Sequence, residues 1–243
     1  MDSGHVIGLD LSSSFLYGSI DSNSTLFHLV HLGRLNLADN DFNNSEIPSD
    51  IRNLPSLFDL DLSLSAFSGE FPLGIFQLPN LRFLSIRLNP YLNGYLPEFQ
   101  SGSQLETLLL RGTNFSGQLP ESIGNLKSLK EFHAAECYFS GAIPSSLGNL
   151  TKLNSLDLSS NSFSGKIPST FVNLRQLTYL SLYSNNFSSG TLHWLCNLTK
   201  LNFIGLSLTN SYGEIPSCLG NSSNSMQTYI LRYQLLLSLI QRY

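Results

Sequence analysis

Leucines at regular intervals dominate the chain. Leu9, Leu35, Leu60, Leu84, Leu108, Phe132, Leu156, Leu180 and Ile204 occupy one equivalent position, with successive steps of 26, 25 and then 24 residues six times over. A fixed period in the twenties describes stacked coils rather than a globule around one central core. The unit from Leu153 to Gln176 is the clearest. It opens L-x-x-L-x-L-x-x-N with Leu153, Leu156, Leu158 and Asn161. Leu156 and Leu158 alternate as strand residues that share one face. Leu153 adds to the same apolar layer from the preceding turn. A single coil buries too little apolar surface to offset the ordering of its backbone, so stability has to come from stacking on neighbours. Strands about 4.8 Å apart predict a slab on the order of 45 Å long for nine to ten coils.

Between these strands the polar positions are also periodic. The equivalents of Asn161 are Ser14, Asn40, Ser65, Asn89, Thr113, Cys137, Asn185 and Thr209. They are small and predict a ladder bonded to loop backbone in the next coil. An aromatic follows once per coil at Phe42, Phe67, Phe115, Phe139, Phe163 and Phe187, read as a buried column. Gly-x-hydrophobic-Pro comes next, as in Gly117–Pro120, Gly141–Pro144, Gly165–Pro168 and Gly213–Pro216. Glycine there permits positive φ, and proline fixes φ near −65° at the start of a short helical turn such as 145–150. Gly74, Gly124, Gly148 and Gly220 are expected to end such turns. The predicted architecture is an α/β solenoid with a parallel β-sheet on the concave face and short 3-10 or helical turns and loops on the convex face. Residues 1–225 form about nine repeats without an N-terminal cap, and residues 226–243 a degenerate tenth repeat or an improvised C-terminal cap. Met226, Tyr229 and Leu231 suit a tenth strand.

Composition narrows the class. Charged residues make up 12% of the chain and the net charge is −4, with no basic stripe to bind nucleic acid. Three cysteines, Cys137, Cys196 and Cys218, make no disulfide framework. Cys196 and Cys218 lie on adjacent coils with registers two residues apart, which weighs against a bridge while leaving it open. Sequons stand at Asn23, Asn43, Asn114, Asn149, Asn186, Asn197 and Asn221, several on turns expected at the surface, which argues for secreted ancestry. The first residues carry no signal peptide. The apolar run Leu235–Ile240 is far shorter than the ~20 residues a membrane span needs.

Gly4–Ser14 and Leu35–Phe42 resemble the opening coils of plant leucine-rich-repeat receptor-like proteins. Asn93–Phe99 and Ser116–Leu126 resemble the disease-resistance branch of that family. The resemblance covers about residues 4–225 and implies a leucine-rich-repeat horseshoe on the extracellular side of the plasma membrane. It further implies that the horseshoe senses peptide, protein or glycan signals and works through a co-receptor kinase. The family's signal peptide, N-terminal and C-terminal caps and membrane span are not in this chain, so it reads as a slice of a receptor or a truncated product. Two other readings stand beside the receptor. One is a soluble cell-wall inhibitor of microbial polygalacturonases. The other is a fragment without function of its own, whose uncapped ends would expose Val6, Leu9, Leu11, Met226 and Tyr229.

The concave strand positions are the expected binding surface. There, coils four to six carry Arg82, Phe83, Arg87, Arg111 and His133, and coils eight and nine carry Tyr179, Tyr183, Asn202, Phe203 and Leu208. Arginine and aromatic residues dominate binding hot spots, and the aromatic group is the preferred patch. Arg87 and Arg111, one coil apart, suit a carboxylate or sulfate. Asp10, Asp61 and Asp157 share a column but not adjacent coils, so they form no carboxylate pair. Neither a metal nor a cofactor is expected. His28 and His31 lack further ligands. His133 beside Glu131 and Glu136 has no nucleophile placed to use it, so the chain is not read as an enzyme.

Overall fold

A computed structural model of the chain describes residues 4–188, 190–206, 216, 218 and 228–231. The strands at the periodic leucines pair in order into a ten-stranded parallel sheet running from Gly8–Asp10 to Thr228–Leu231. We number the coils one to ten by these strands. Register follows the period, with Leu9 opposite Leu35, Leu108 opposite Phe132 and Leu180 opposite Ile204. A tenth strand, Thr228–Leu231, sets Tyr229 opposite Ile204, and Met226 lies outside the described residues. From coil three to coil eight the central apolar residue of each strand is fully buried. In coil one, by contrast, Leu9 and Leu11 are only half-buried and Val6 is 46% exposed.

The opposite side carries 3-10 turns, five residues long in most coils, and no α-helix among the described residues. Ser145–Asn149 begins directly after Pro144, as expected, and Ser49, Glu121 and Ser169 likewise follow prolines. Turns are bulkier than strands, which places the leucine sheet on the inner, concave side.

Packing between coils corrects the expected role of three glycines. Gly74, Gly124 and Gly148 lie inside the 3-10 turns and not at their ends, and Gly220 lies outside the described residues. At Gly148 a Cβ would stand 2.5 Å from the Thr170 carbonyl oxygen, and at Gly124 2.6 Å from that of Ser146. These glycines let the next coil approach. Gly148→Ala is therefore expected to cost about 2 kcal/mol in urea unfolding. Gly74→Ala, whose Cβ would meet only the Arg52 side chain at 3.6 Å, is expected to be tolerated. Equal losses in the two variants would show that coil approach is not the constraint.

The polar ladder bonds the preceding coil, not the next. The Asn89 amide donates to Leu62 and Ile86 carbonyls, each at 2.9 Å, and its Oδ1 accepts from Phe67 N–H at 2.9 Å. Asn40, Asn161 and Asn185 do the same one coil back, while Thr209 and Gly213–Ile215 lie outside the described residues. The segments after the ladder form a second parallel sheet of six strands, from Ser68–Glu70 to Asn186–Phe187. Sequence reading assigned no strands there, because its Ser, Asn and Gly residues are poor strand formers. Repeated pairing one coil away supplies the missing preference. Gly117, Gly141 and Gly165 do take positive φ, at 87°, 76° and 72°.

The aromatic column is buried as expected, with Phe42 and Phe67 stacked at 4.6 Å. It is interrupted in coil four, where Tyr91 is exposed and Leu92 faces inward. Phe71 fills the gap, meeting Phe115 edge-on at 5.6 Å.

Cys196 and Cys218 form a disulfide with Cα atoms 5.8 Å apart. Adjacent convex turns thus stack closely enough to absorb the two-residue offset in register. Cys137 is free and buried, its thiol in the ladder position donating to the Leu110 carbonyl. Burial pushes its pKa up.

Candidate functional site

Strand register assembles the concave candidates. His133 closes the coil-six strand Glu131–His133, and Asp157 stands directly opposite it on coil seven. Tyr179 of coil eight pairs with Ser155, and Phe203 of coil nine with Tyr179. Arg87 and Arg111 follow the strands of coils four and five and are brought side by side by the Leu88 N–H to Arg111 carbonyl bond at 2.7 Å. Together Arg87, Leu109, Arg111, His133, Ser155, Asp157 and Tyr179 line a cavity of about 190 Å³. The tyrosine joins this polar cavity to the aromatic patch. Its ring centre is 6.3 Å from that of His133 and stacks on Phe203 at 4.5 Å with only 7° between the planes. Two patches read separately in the sequence are one continuous surface.

The charges within it are unequal. Arg111 donates to Glu136 at 2.7 Å in a largely exposed ion pair, which further raises its own pKa. Arg87 has no ion-pair partner among the described residues, so the two arginines present one paired and one free cation rather than a matched clamp. Asp157 accepts from the Ser159 hydroxyl at 2.6 Å and backbone at 3.0 Å through Oδ1. Its Oδ2 lies 3.5 Å from the Tyr179 hydroxyl. Burial, with Asp157 adding to it, raises the tyrosine pKa. Burial is also the largest influence on His133 and lowers its pKa; Asp157 and Glu131 oppose this, and the two arginines reinforce it.

His133 does have a hydroxyl within reach, contrary to the sequence expectation, because Ser155 Oγ is 2.7 Å from Nε2. No described hydrogen bond links Asp157 to the imidazole, so the relay that would activate a serine is not assembled. The remaining candidates sit around the cavity. Tyr183 is half-buried over Gly205, where a Cβ would meet its ring at 3.2 Å. Arg82 is exposed, near Glu106, whose pKa is lowered chiefly by its bond from Lys130. Phe83 is half-buried between Asp59 and Thr107. Asn202 is exposed beside the Tyr179–Phe203 stack, and Leu208 lies outside the described residues. Sequence reasoning missed Ser155 and Asp157 as members of the site. Both stand one 24-residue period beyond Glu131 and His133, so the same columns contained the signal.

Asn23, Asn43, Asn149, Asn186 and Asn197 are exposed and Asn114 is half-buried, all away from the strands of the concave sheet. Asn221 lies outside the described residues. Among the described residues no helix is long and apolar enough to cross a membrane.

Comparison with known proteins agrees with this geometry. The family described as "Leucine-rich repeat region" matches residues 93–232. Receptor-like protein 7 of Arabidopsis thaliana is 35% identical over 211 residues, covering 52% of this chain and 22% of the relative. Receptor-like protein Cf-9 of Solanum pimpinellifolium is 34% identical over 158 residues, covering 54% and 18% respectively. Among solved structures, the Arabidopsis receptor kinase HAESA, in complex with the peptide hormone IDA and the co-receptor SERK1, superposes with a TM-score of 0.81. It is 32% identical over 92% of this chain and 37% of that one. The chain spans about a fifth of the length of the curated relatives it matches. With the repeat, both sheets and the ladder in agreement, the chain belongs to the leucine-rich-repeat family, and its relatives there are plant receptor-like proteins.

Proposed function

We propose that this chain is a ligand-reading stretch of the extracellular part of a plant receptor-like protein in defence signalling at the cell surface, and that its concave face over coils four to nine takes an extended peptide. The observation that carries this reading is the continuous surface from Arg87 through the cavity to the Tyr179–Phe203 stack. It offers an exposed cation, a polar cavity and a flat aromatic platform in line, the anchors that dominate binding energy. The likeness to HAESA, solved with a peptide hormone and a co-receptor, supports a peptide ligand and a co-receptor kinase as partner. The resemblance to the disease-resistance branch supports the defence setting. Exposed sequons away from the concave strands suit a secreted domain whose glycans leave that face bare. The relatives give no support to the soluble polygalacturonase inhibitor.

Panning a random peptide library against the chain secreted from plant cells tests the reading. Enriched peptides are expected to carry an acidic group next to an aromatic or apolar residue. The Arg87→Ala, Tyr179→Ala double variant is expected to bind them about 100-fold more weakly. The control Tyr138→Ala, exposed on the second sheet, should bind normally. No enrichment, or equal binding by the double variant, would overturn the proposal.

A further inference from the structure

The cavity holds one imidazole, and burial lowers its pKa from the ordinary histidine value. His133 is half-buried among charges from every neighbouring coil: Arg87 and Arg111 on one side, Asp157 and the Tyr179 ring on the other, and Glu131 on its own strand. Nε2 is engaged with Ser155 Oγ at 2.7 Å, and Nδ1 has no described hydrogen-bond partner. Glu136 is held by Arg111, so the free cation Arg87 is the attractive point for an incoming anion. That anion would offset the field with which the arginines suppress protonation of the imidazole.

We propose that the cavity is an oxyanion subsite controlled by His133, in which an anion seated against Arg87 and a proton on the imidazole favour one another. This deepens the peptide-binding reading and rests on it, the oxyanion being a carboxylate of the bound peptide. The coupling is reciprocal: protonation tightens the anion, and the anion raises the histidine pKa by the same free energy. The sign follows from the direction in which burial moves the imidazole. Burial keeps His133 neutral until the medium is more acidic than an ordinary histidine requires. Without ligand, the buried neutral ring therefore contributes stability above the unfolded histidine pKa, and that stability is lost as pH falls through the lower folded value. An anion in the cavity offsets part of this penalty, the part due to the arginines.

Inorganic sulfate is the suitable probe, because its charge is constant between about pH 5 and about pH 8 and any pH dependence must come from the protein. Titrating sulfate into the chain, followed by NMR of the histidine rings, is expected to give about tenfold tighter binding at the acid end. The His133 pKa should rise as sulfate saturates. His133→Gln should show no tightening of sulfate binding on acidification, whatever its affinity at the alkaline end. Arg87→Ala should lose sulfate throughout, with circular dichroism verifying that both variants fold. Sulfate should also displace an acidic peptide selected on the concave face; a peptide that stays bound at saturating sulfate would overturn the peptide carboxylate as the occupant of this subsite. Sulfate binding that is flat with pH, or equally pH-dependent in His133→Gln, would overturn the switch even if peptides bind. Loss of peptide binding altogether would overturn the receptor reading instead.

Discussion

Asn89→Ala is expected to destabilise the fold by about 4 kcal/mol, among the largest effects of any polar substitution in the chain. Asn89 is fully buried, and its one amide serves two coils. Oδ1 takes the N–H groups of Ser65 and Phe67 at 3.3 and 2.9 Å, and Nδ2 supplies the carbonyls of Leu62 and Ile86. Alanine would leave two N–H groups orphaned where water has no access, and orphaned buried N–H groups are rare because each costs about 1–3 kcal/mol. Urea unfolding measures the loss. Hydrogen exchange adds a local signature, since the Ser65 and Phe67 amides should exchange faster than those of coil seven. Asn40→Ala removes the same kind of bonds at the first pair of coils, where Asn40 retains 9% exposure and most of its bonds are only partly buried. Its cost is expected to be roughly half as large, because water can replace the lost partner. Asn89→Ala with less than about 1 kcal/mol of effect would show that the ladder is not what joins the coils.

Phe115→Ala is expected to cost about 4 kcal/mol, the range for removing a buried aromatic ring. Phe115 has no exposed surface and stands where the aromatic column is interrupted. Phe71 meets its edge, and it packs so closely over Gly94 that a Cβ there would lie 2.6 Å from its ring. Truncation opens a cavity in the buried column, and the cavity term adds to the lost transfer energy. Phe115→Leu, which keeps much of the volume, should cost about half as much. Tyr138→Ala, at a position 65% exposed, should change stability little. Thermal and urea unfolding of the three variants give the comparison. An alanine variant no weaker than Tyr138→Ala would mean that coils four and five are held by other contacts.

Much of the fold was legible because the period imposes the register. Once Leu108 and Phe132 are equivalent, Thr107 must face Glu131 and Leu109 must face His133. The aromatic column, the proline that opens most of the turns and the positive φ of Gly117, Gly141 and Gly165 follow from local chemistry repeated at that spacing. The site was legible only as columns of exposed residues. Arg87, Arg111, His133 and Tyr179 meet at one cavity, but the partition of charge among them was not readable. Arg111 is engaged by Glu136, and Arg87 is not.

Ser155 and Asp157 were not read as members of the site for a related reason. Neither is a hot-spot residue type alone, and each acquires meaning from the neighbour one strand away: Ser155 from His133 at 2.7 Å, Asp157 from the Tyr179 hydroxyl at 3.5 Å. Gly148 was misread in the same way. Glycine near the end of a turn suggests a cap, whereas the Thr170 carbonyl of the following coil is what excludes a side chain.

The amino-acid sequence by itself determined the period, the apolar face of the strands at the periodic leucines and the kind of residue at most turns, because these depend on the order of residues within one coil. Only the tertiary structure decided which way the asparagine ladder points, where a second sheet forms from residues with little strand preference, and which arginine is free beside His133. Those outcomes depend on distances between residues of different coils, and side-chain reach at strand spacing, not sequence separation, selects among them.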